Sequence, residues 1–361
     1  MDHAVEIRKL NSLRGLAVLI VLISHYSNAS DLWGKALGNG AGQFGVMIFF
    51  LLSAFLISYL YLHTPPTPQA IANFAIARVA RVMPLFLIVV IISFAVKQFS
   101  LPLGTFAYNI KDVNSLLSHF FLLHGTSVLW TIPPEIHFYI FFALAWFFRP
   151  QLKGLLYVGI VLLIASSFFF IKDKAPTATL WGFTVTLEIL KVLPYFAVGF
   201  LLGDLFRGWQ PSSNLRRHYY VTVLILIPLL YPEIFFYLTG QQHGMWADVR
   251  VLGTISAVFF VLVFLVPENN PILENWLGDM LGKISYSLYL LHYPLLQLLK
   301  SMGLVTGLAG LALFLVLASV LAYISFSVLE FPARQWIRKA FASRVLRNPA
   351  SHQKVDARSI G

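Results

Sequence analysis

NSLRGLAVLIVLISH, residues 11–25, is an apolar run with an arginine near its start and a histidine at its end. A charged group in hydrocarbon costs about 2.5–3.5 kcal/mol on insertion scales, so ionisable groups in membrane helices usually face a cavity or a partner. Arg14 and His25 are eleven positions apart, which at about 100° per residue places both on one helical face, roughly 16 Å apart along the axis. The spacing predicts that both side chains line one polar groove along the first membrane helix.

The composition is that of a membrane protein. The chain has 361 residues, of which 58% are hydrophobic and 11% charged, and this leaves too little polar surface for an ordinary soluble domain. Cysteine is absent, which excludes disulfides, a thiolate nucleophile and a cysteine-bound metal. The formal net charge is +11, but the basic residues lie between apolar segments and in the tail. We therefore attribute the charge to membrane topology and expect no nucleic-acid partner.

Apolar windows along the chain predict an all-α, polytopic membrane helix bundle of about ten transmembrane helices. Lys and Arg are concentrated in alternate connecting segments, which predicts that both termini are cytoplasmic. The first window is interpreted as a retained span rather than a cleaved signal peptide. The windows are 13–29, 43–62, 82–98, 132–148, 154–171, 185–206, 219–238, 249–266, 281–299 and 305–329.

The chain is predicted to divide into two parts. Residues 1–333 form the integral-membrane domain, and residues 334–361 form a basic cytoplasmic tail. The first part of this tail mixes aromatic and aliphatic residues with Arg and Lys, a pattern typical of an amphipathic helix on an anionic leaflet. The polar residues that follow are expected to be disordered.

A pair of arginines precedes the third window. In NFAIARVARVMP, residues 73–84, Arg78 and Arg81 are one helical turn apart. Arginines at this place often only anchor a helix on the cytoplasmic side. They are also the side chains that bind phosphate bidentately, and the pattern alone leaves both interpretations open.

A carboxylate opens the fourth window. In LWTIPPEIHFYIFF, residues 129–142, Glu135 has no basic neighbour in sequence, so it needs a partner from elsewhere in the bundle or a proton. The entrance of this span and His25 are expected at compatible depths. An imidazole and a carboxylate that meet there would form a general base with an orienting acid.

Two other polar groups in the spans are interpreted as structural. Ser285, Tyr289 and His292 share one helical face in GKISYSLYLLHYPL, residues 282–295, and such side chains commonly join helices by hydrogen bonds. Glu188 and Lys191 are one turn apart and are expected to neutralise each other.

These motifs together resemble the acyltransferase 3 family of integral-membrane O-acyltransferases. The segments that carry the resemblance follow the family's order along the chain. The sequence departs from the family pattern at Ala54, where glycine is usual. The matching residues are Arg14 and His25; FGVMIFFLLSAFLI, residues 44–57; Phe74, Arg78, Arg81 and Pro84; Trp130, Thr131, Glu135, Phe138 and Tyr139; and the late segments GKISYSLYLLHYPL and LEFPAR.

The resemblance implies an enzyme that moves an acyl group, most often acetyl, from cytoplasmic acyl-CoA to a hydroxyl of a carbohydrate. The acceptor expected is a cell-envelope polysaccharide or lipid-linked glycan, and the location is the membrane, with several spans, most often the bacterial inner membrane. It also implies the form of the family without an appended esterase-like domain. No metal is expected, and the oligomeric state stays open.

The mechanistic hypothesis assigns roles to the family residues. Arg14, Arg78 and Arg81 hold the phosphates of the donor, and the thioester reaches His25. The imidazole either deprotonates the acceptor hydroxyl or takes the acyl group transiently, with Glu135 orienting it. We favour the general-base route.

Trp130 and Tyr139 are expected to stack on a sugar face. Two other functions remain as alternatives. The charged groove could instead be the path of an exporter or flippase of a lipid-linked sugar or polysaccharide. The polar residues could also serve only to pack helices.

Overall fold

The computed structural model describes residues 8–100, 106–170 and 175–345. Most of this part of the chain is helical, and two short strands, β1 (Thr177–Leu180) and β2 (Phe183–Thr186), form an antiparallel hairpin that the sequence analysis did not predict. The helices are α1 (Arg8–Ser30), α2 (Gly42–Tyr61), α3 (Pro68–Gln98), α4 (Val113–Phe120), α5 (Ile132–Phe170), α6 (Glu188–Leu205), α7 (Leu226–Leu229), α8 (Pro232–Thr239), α9 (Val249–Phe260), α10 (Trp276–Ser301), α11 (Gly307–Ser325) and α12 (Phe331–Val345).

Several of these helices have the dimensions of membrane spans. In the described residues, five helices are long and apolar enough to cross a bilayer, or six if the sharply bent pair 213–229 and 232–239 counts as one span. The architecture is therefore that of a helical, multi-pass membrane protein, as predicted. The total of about ten spans and the cytoplasmic placement of both termini stay predictions.

Helix α5 contains two of the predicted spans, 132–148 and 154–171. Its backbone breaks at Leu152 (φ −123°, ψ 25°), two residues after Pro150. Residues on both sides of the break line one apolar groove of about 400 Å³, together with the stretch Leu193 to Phe200 of α6.

Glycines let the central helices approach closely. A Cβ on Gly282 of α10 would collide with the backbone of Asn11 in α1, and one on Gly199 of α6 would collide with the backbone carbonyl of Leu51 in α2. Small residues at such crossings favour helix association in a membrane. Helix α1 consequently packs between α2 and α10, which places the face bearing Arg14 and His25 inside the protein rather than against lipid.

Helix α12 crosses the predicted boundary between membrane domain and tail. It begins at Phe331, runs to Val345 and packs against α3, so at least its first turns belong to the helical body of the protein. The predicted disordered segment, 348–361, lies outside the described residues.

Candidate active site

Three cavities follow one another through the helical body. We call them the basic vestibule, the neck and the His25 chamber, with volumes of about 470, 60 and 500 Å³. Arg14, Arg81 and Tyr286 line both the vestibule and the neck. Val46 and Tyr289 line both the neck and the chamber. The three cavities therefore lie next to one another in a row.

The basic vestibule collects cations from four helices. The three arginines predicted to bind phosphate meet here, and the structure adds three cations to them. The single carboxylate in the lining is that of Glu330, whose Oε2 accepts a hydrogen bond of 2.9 Å from Ser287 Oγ. The six cations are Arg14 of α1, Arg78 and Arg81 of α3, Lys283 of α10, and Arg334 and Arg338 of α12.

Local sequence fixes the two arginines of α3. Thr67 caps the helix by accepting a hydrogen bond of 3.1 Å from the Ala70 amide, and Pro68 occupies the first turn, where its missing N–H costs nothing. Arg78 lies against the faces of Tyr61 and Phe74, at 5.8 and 5.7 Å from the ring centroids. These cation–π contacts hold the guanidinium at the wall of the vestibule.

The neck contains the Glu135 carboxylate. Glu135 lies in the first turn of α5 and accepts a hydrogen bond from the hydroxyl of Tyr139, one turn later, and a longer one of 3.4 Å from Ser53 Oγ. Arg14 and Arg81 line the same small cavity. The hydrogen-bond partners of this carboxylate are therefore Tyr139 and Ser53, and the nearby guanidinium groups that share its cavity come from α1 and α3.

The His25 chamber brings two histidines together. The ring of His25 lies 5.2 Å from that of His292 and 5.5 Å from that of Tyr293, between centroids. His292 is fully buried, and its Nδ1 is 2.7 Å from the Tyr289 carbonyl oxygen and 3.2 Å from that of Leu288. Carbonyls only accept, so Nδ1 carries the hydrogen and Nε2 is the basic nitrogen. Within the described residues this Nε2 has no hydrogen-bond partner.

An aromatic wall with a cation faces this chamber. Lys191 Nζ lies 3.9 Å from the centroid of Trp130 and 2.5 Å from Glu188 Oε2, which confirms the predicted pairing of Lys191 with Glu188. Trp246 lies edge-on to Trp130 at 5.7 Å. Asn28 and Gln43 add hydrogen-bonding groups to the lining. Aromatic faces next to polar groups are the surface that a sugar ring needs.

The geometry corrects three expectations. Arg14 and His25 line different cavities instead of one groove. Glu135 lies in the neck and does not hydrogen-bond to His25 in the described part of the chain. Tyr139 lies outside the chamber. Its side chain is buried, with 6% exposed. Tyr139 lies one turn after Glu135 on the same face of α5, so both side chains point into the protein interior.

Sequence reasoning missed three residues that line this row, and it missed the contact of His292 with His25 beside the chamber. Membrane topology or the basic tail was a sufficient explanation for the charges of Lys283, Arg334 and Arg338. Helix packing was a sufficient explanation for His292. The one available signal was the four-residue spacing of Arg334 and Arg338, which puts them on one face. No cluster of three or more metal-binding side chains occurs in residues 8–100, 106–170 and 175–345.

Comparison with known proteins agrees with this arrangement. A family model described as an acyltransferase domain matches residues 7–330, nearly the whole helical body. The chain belongs to the acyltransferase 3 family. The row of cavities is thus built within the acyltransferase domain itself, and Arg334 and Arg338 lie just beyond the matched residues.

Two relatives of this acyltransferase are O-acetyltransferases by name. One is O-acetyltransferase OatA of Staphylococcus aureus, 24% identical over 92% of this chain and 58% of the relative. Another is peptidoglycan O-acetyltransferase OatA of Listeria monocytogenes, 24% identical over 90% of this chain and 55% of the relative. The chain thus spans little more than half the length of each. No solved structure matches it.

Proposed function

We propose that this acyltransferase moves an acetyl group from acyl-CoA to a hydroxyl of a carbohydrate acceptor. The observation that carries the proposal is the row of cavities, with clustered cations at one end and a histidine beside an aromatic wall at the other. A donor with phosphates at one end and a thioester at the other matches this polarity. The names of the relatives support acetyl as the group transferred.

The donor enters through the basic vestibule, which we place on the cytoplasmic side because Lys and Arg of membrane proteins accumulate there. Arg14, Arg78 and Arg81 bind its phosphates by charge-assisted hydrogen bonds. The pantetheine arm is a single file of atoms and extends through the neck. A sugar ring is wider, and a neck of about 60 Å³ has room for only a few water molecules.

His25 is the proposed general base. Its imidazole takes the proton of the acceptor hydroxyl as the oxygen attacks the thioester carbonyl. The new ester C–O bond forms, the C–S bond breaks, and the proton leaves His25 with the departing CoA sulfur. His292 lies beside it with an unpaired Nε2, and this nitrogen can accept the N–H of His25 and orient its other nitrogen toward the acceptor.

Glu135 acts in the neck rather than on His25. Its carboxylate, held by Tyr139 and Ser53, shares a small cavity with Arg14 and Arg81. An anion there balances the two guanidinium charges and keeps them in place as the thioester passes. The role proposed for Glu135 in catalysis is therefore electrostatic.

The acceptor occupies the His25 chamber. Trp130 offers its ring to a sugar face, and Lys191, Asn28 and Gln43 hydrogen-bond to hydroxyls. We propose a cell-envelope polysaccharide or lipid-linked glycan as the substrate class, with the enzyme in the bacterial inner membrane. The name of the Listeria relative, a peptidoglycan O-acetyltransferase, supports a glycan as the acceptor.

Transfer of label tests the proposal. The purified protein in liposomes is given [¹⁴C]acetyl-CoA and envelope glycan, and acetylated glycan is separated from donor. We expect label on the glycan that mild alkali releases, because esters hydrolyse readily. Transport of unmodified glycan with all label left on CoA would contradict the proposal and favour an exporter or flippase.

A further inference from the structure

The vestibule holds more positive charge than its own residues balance. Five arginines line it against one carboxylate, that of Glu330. Arg334 lies close enough to Arg81, Arg338 and Arg78 for mutual electrostatic repulsion, which the attraction of Glu330 opposes. No ion pair of the described residues joins Arg334 or Arg338 to a carboxylate. Such a cluster is unfavourable unless a polyanion occupies the cavity.

The cations lie at two depths along the row. Arg14 and Arg81 line the neck as well as the vestibule and so mark its inner end. Arg78, Lys283, Arg334 and Arg338 line the vestibule alone. Arg334 is half-buried and Arg338 is exposed, so the arginines of α12 lead outward from the cavity toward solvent.

Glu330 separates these two depths along the helix. Glu330, Arg334 and Arg338 follow at four-residue intervals and share one helical face. Because Ser287 holds the carboxylate in the interior, a phosphate is repelled from the first position and attracted by the next two. The anion that α12 binds should therefore lie near Arg334 and Arg338 and away from Glu330.

We propose that Arg334 and Arg338 form a separate subsite for the 3′-phosphate of the CoA donor. The inference rests on acyl-CoA as the donor in the proposed function. Along acyl-CoA the thioester comes first, then the pantetheine arm, the diphosphate, and last the ribose with its 3′-phosphate. With the thioester at His25 and the pantetheine arm in the neck, the diphosphate reaches Arg14 and Arg81 at the inner end of the vestibule, and the 3′-phosphate reaches the outer arginines.

The chemistry of the two groups agrees with this order. A 3′-phosphate is a monoester with three terminal oxygens, which two guanidinium groups can bind bidentately. The negative charge of a diphosphate is spread over two phosphoryl groups, so it can be bound by the two separate arginines farther in, Arg14 and Arg81. Helix α12 would thus belong to the donor site, although the predicted domain boundary placed these arginines in a tail.

Kinetics with two donors test the subsite. Initial rates are measured in liposomes with acetyl-CoA and with acetyl-dephospho-CoA, which lacks only the 3′-phosphate. For Arg334→Gln and Arg338→Gln we expect KM for acetyl-CoA to rise roughly tenfold, since a hydrogen bond to a charged group is lost. KM for acetyl-dephospho-CoA should change less than twofold. Lys339→Gln is the matched control, because Lys339 lies on the same helix but does not line the vestibule.

The outcomes separate the subsite from the proposed function. Equal increases in KM for both donors would overturn the subsite while leaving acyl-CoA as the donor. Equal KM values of the wild-type enzyme for the two donors would also overturn the subsite. Loss of activity in the variants only in liposomes with anionic lipid would overturn it too, because the arginines would then bind lipid headgroups. No transfer from either donor by the wild-type protein would contradict the proposed function itself.

Discussion

His25 and His292 lie with their ring centroids 5.2 Å apart and their planes at 47°. They come from α1 and α10, which pack closely at glycines. The Nδ1 hydrogen of His292 is committed to backbone carbonyls, and its Nε2 has no partner in the described part of the chain. The group beside the proposed base is thus a second imidazole and not the expected carboxylate.

The role of His292 can be separated from a packing role by two substitutions. Glutamine places a polar atom near the position of Nε2, and asparagine places one near Nδ1. We expect His292→Gln to retain most of kcat and His292→Asn to lose roughly 100-fold, as misplacement of a reacting group does, with donor KM unchanged in both. Steady-state kinetics measure this. A higher kcat for His292→Asn than for His292→Gln would show that only the hydrogen bonds from Nδ1 matter.

His25→Ala should abolish acyl transfer while the protein remains folded. Loss of a general base typically lowers the rate by roughly 10²–10⁴-fold. Because His25 is only partly buried, its removal should alter the unfolding temperature little. Activity and thermal unfolding are measured on the same detergent preparation. Near-normal turnover would show that His25 is not the general base, and loss of both activity and folding would support a packing role for His25.

Arg78→Gln and Arg81→Gln should weaken donor binding. Each loses a guanidinium that lines the vestibule, so KM for acetyl-CoA should rise roughly tenfold or more. The wild-type KM should also increase with salt, since phosphate binding is screened. Arg250→Gln is a control, because Arg250 is paired with Asp248 away from the three cavities. An unchanged KM for acetyl-CoA in both vestibule variants would indicate that Arg78 and Arg81 only anchor their helix on the cytoplasmic side.

Glu135→Gln should cost more activity than Tyr139→Phe. The first removes the negative charge that shares the neck with Arg14 and Arg81, and the second removes only one hydrogen bond to that charge. We expect roughly 100-fold and at most tenfold losses of kcat, respectively, from the difference between losing a charge and losing a neutral donor. Rates per folded molecule decide the comparison, and equal losses would indicate that Glu135 acts only as a partner of Tyr139.

Asp204→Asn should reduce stability but not chemistry. The buried Asp204 carboxylate is 2.8 Å from Arg149 and 2.6 Å from His63, and it joins α5 and α6 to the chain that follows α2. Leaving Arg149 without its carboxylate should lower the free energy of unfolding by about 2–3 kcal/mol. The double substitution Arg149→Met with Asp204→Leu should recover most of that loss. Unfolding in detergent gives the comparison, with activity per folded molecule as the control.

Helices could be predicted well from the sequence because membrane spans are specified locally. Each predicted window overlaps helical structure in the described residues, since a long apolar stretch must satisfy its own backbone hydrogen bonds in lipid. The break at Leu152 falls in the connection predicted between windows 132–148 and 154–171. The β1–β2 hairpin could not be predicted, because it lies in a connecting segment with no hydrophobic period.

The candidate site could be predicted in part. Arg14, Arg78 and Arg81 were found because guanidinium groups in or beside apolar segments need an explanation, and the structure brings them into one cavity. The contact between Glu135 and His25 was wrongly expected. Depth along the bilayer says nothing about direction around a helix axis, and the two side chains point into different cavities.

By itself the sequence determined the membrane class, the helices and the individual ionisable groups that lipid cannot solvate. Only the tertiary structure decided which of these groups meet: His25 with His292, Glu135 with Arg14 and Arg81, and the arginines of α12 with those of α3. The reason is physical. The cost of burying a charge is a property of one side chain in its segment, whereas its partner is set by helix rotation and packing over long sequence separations.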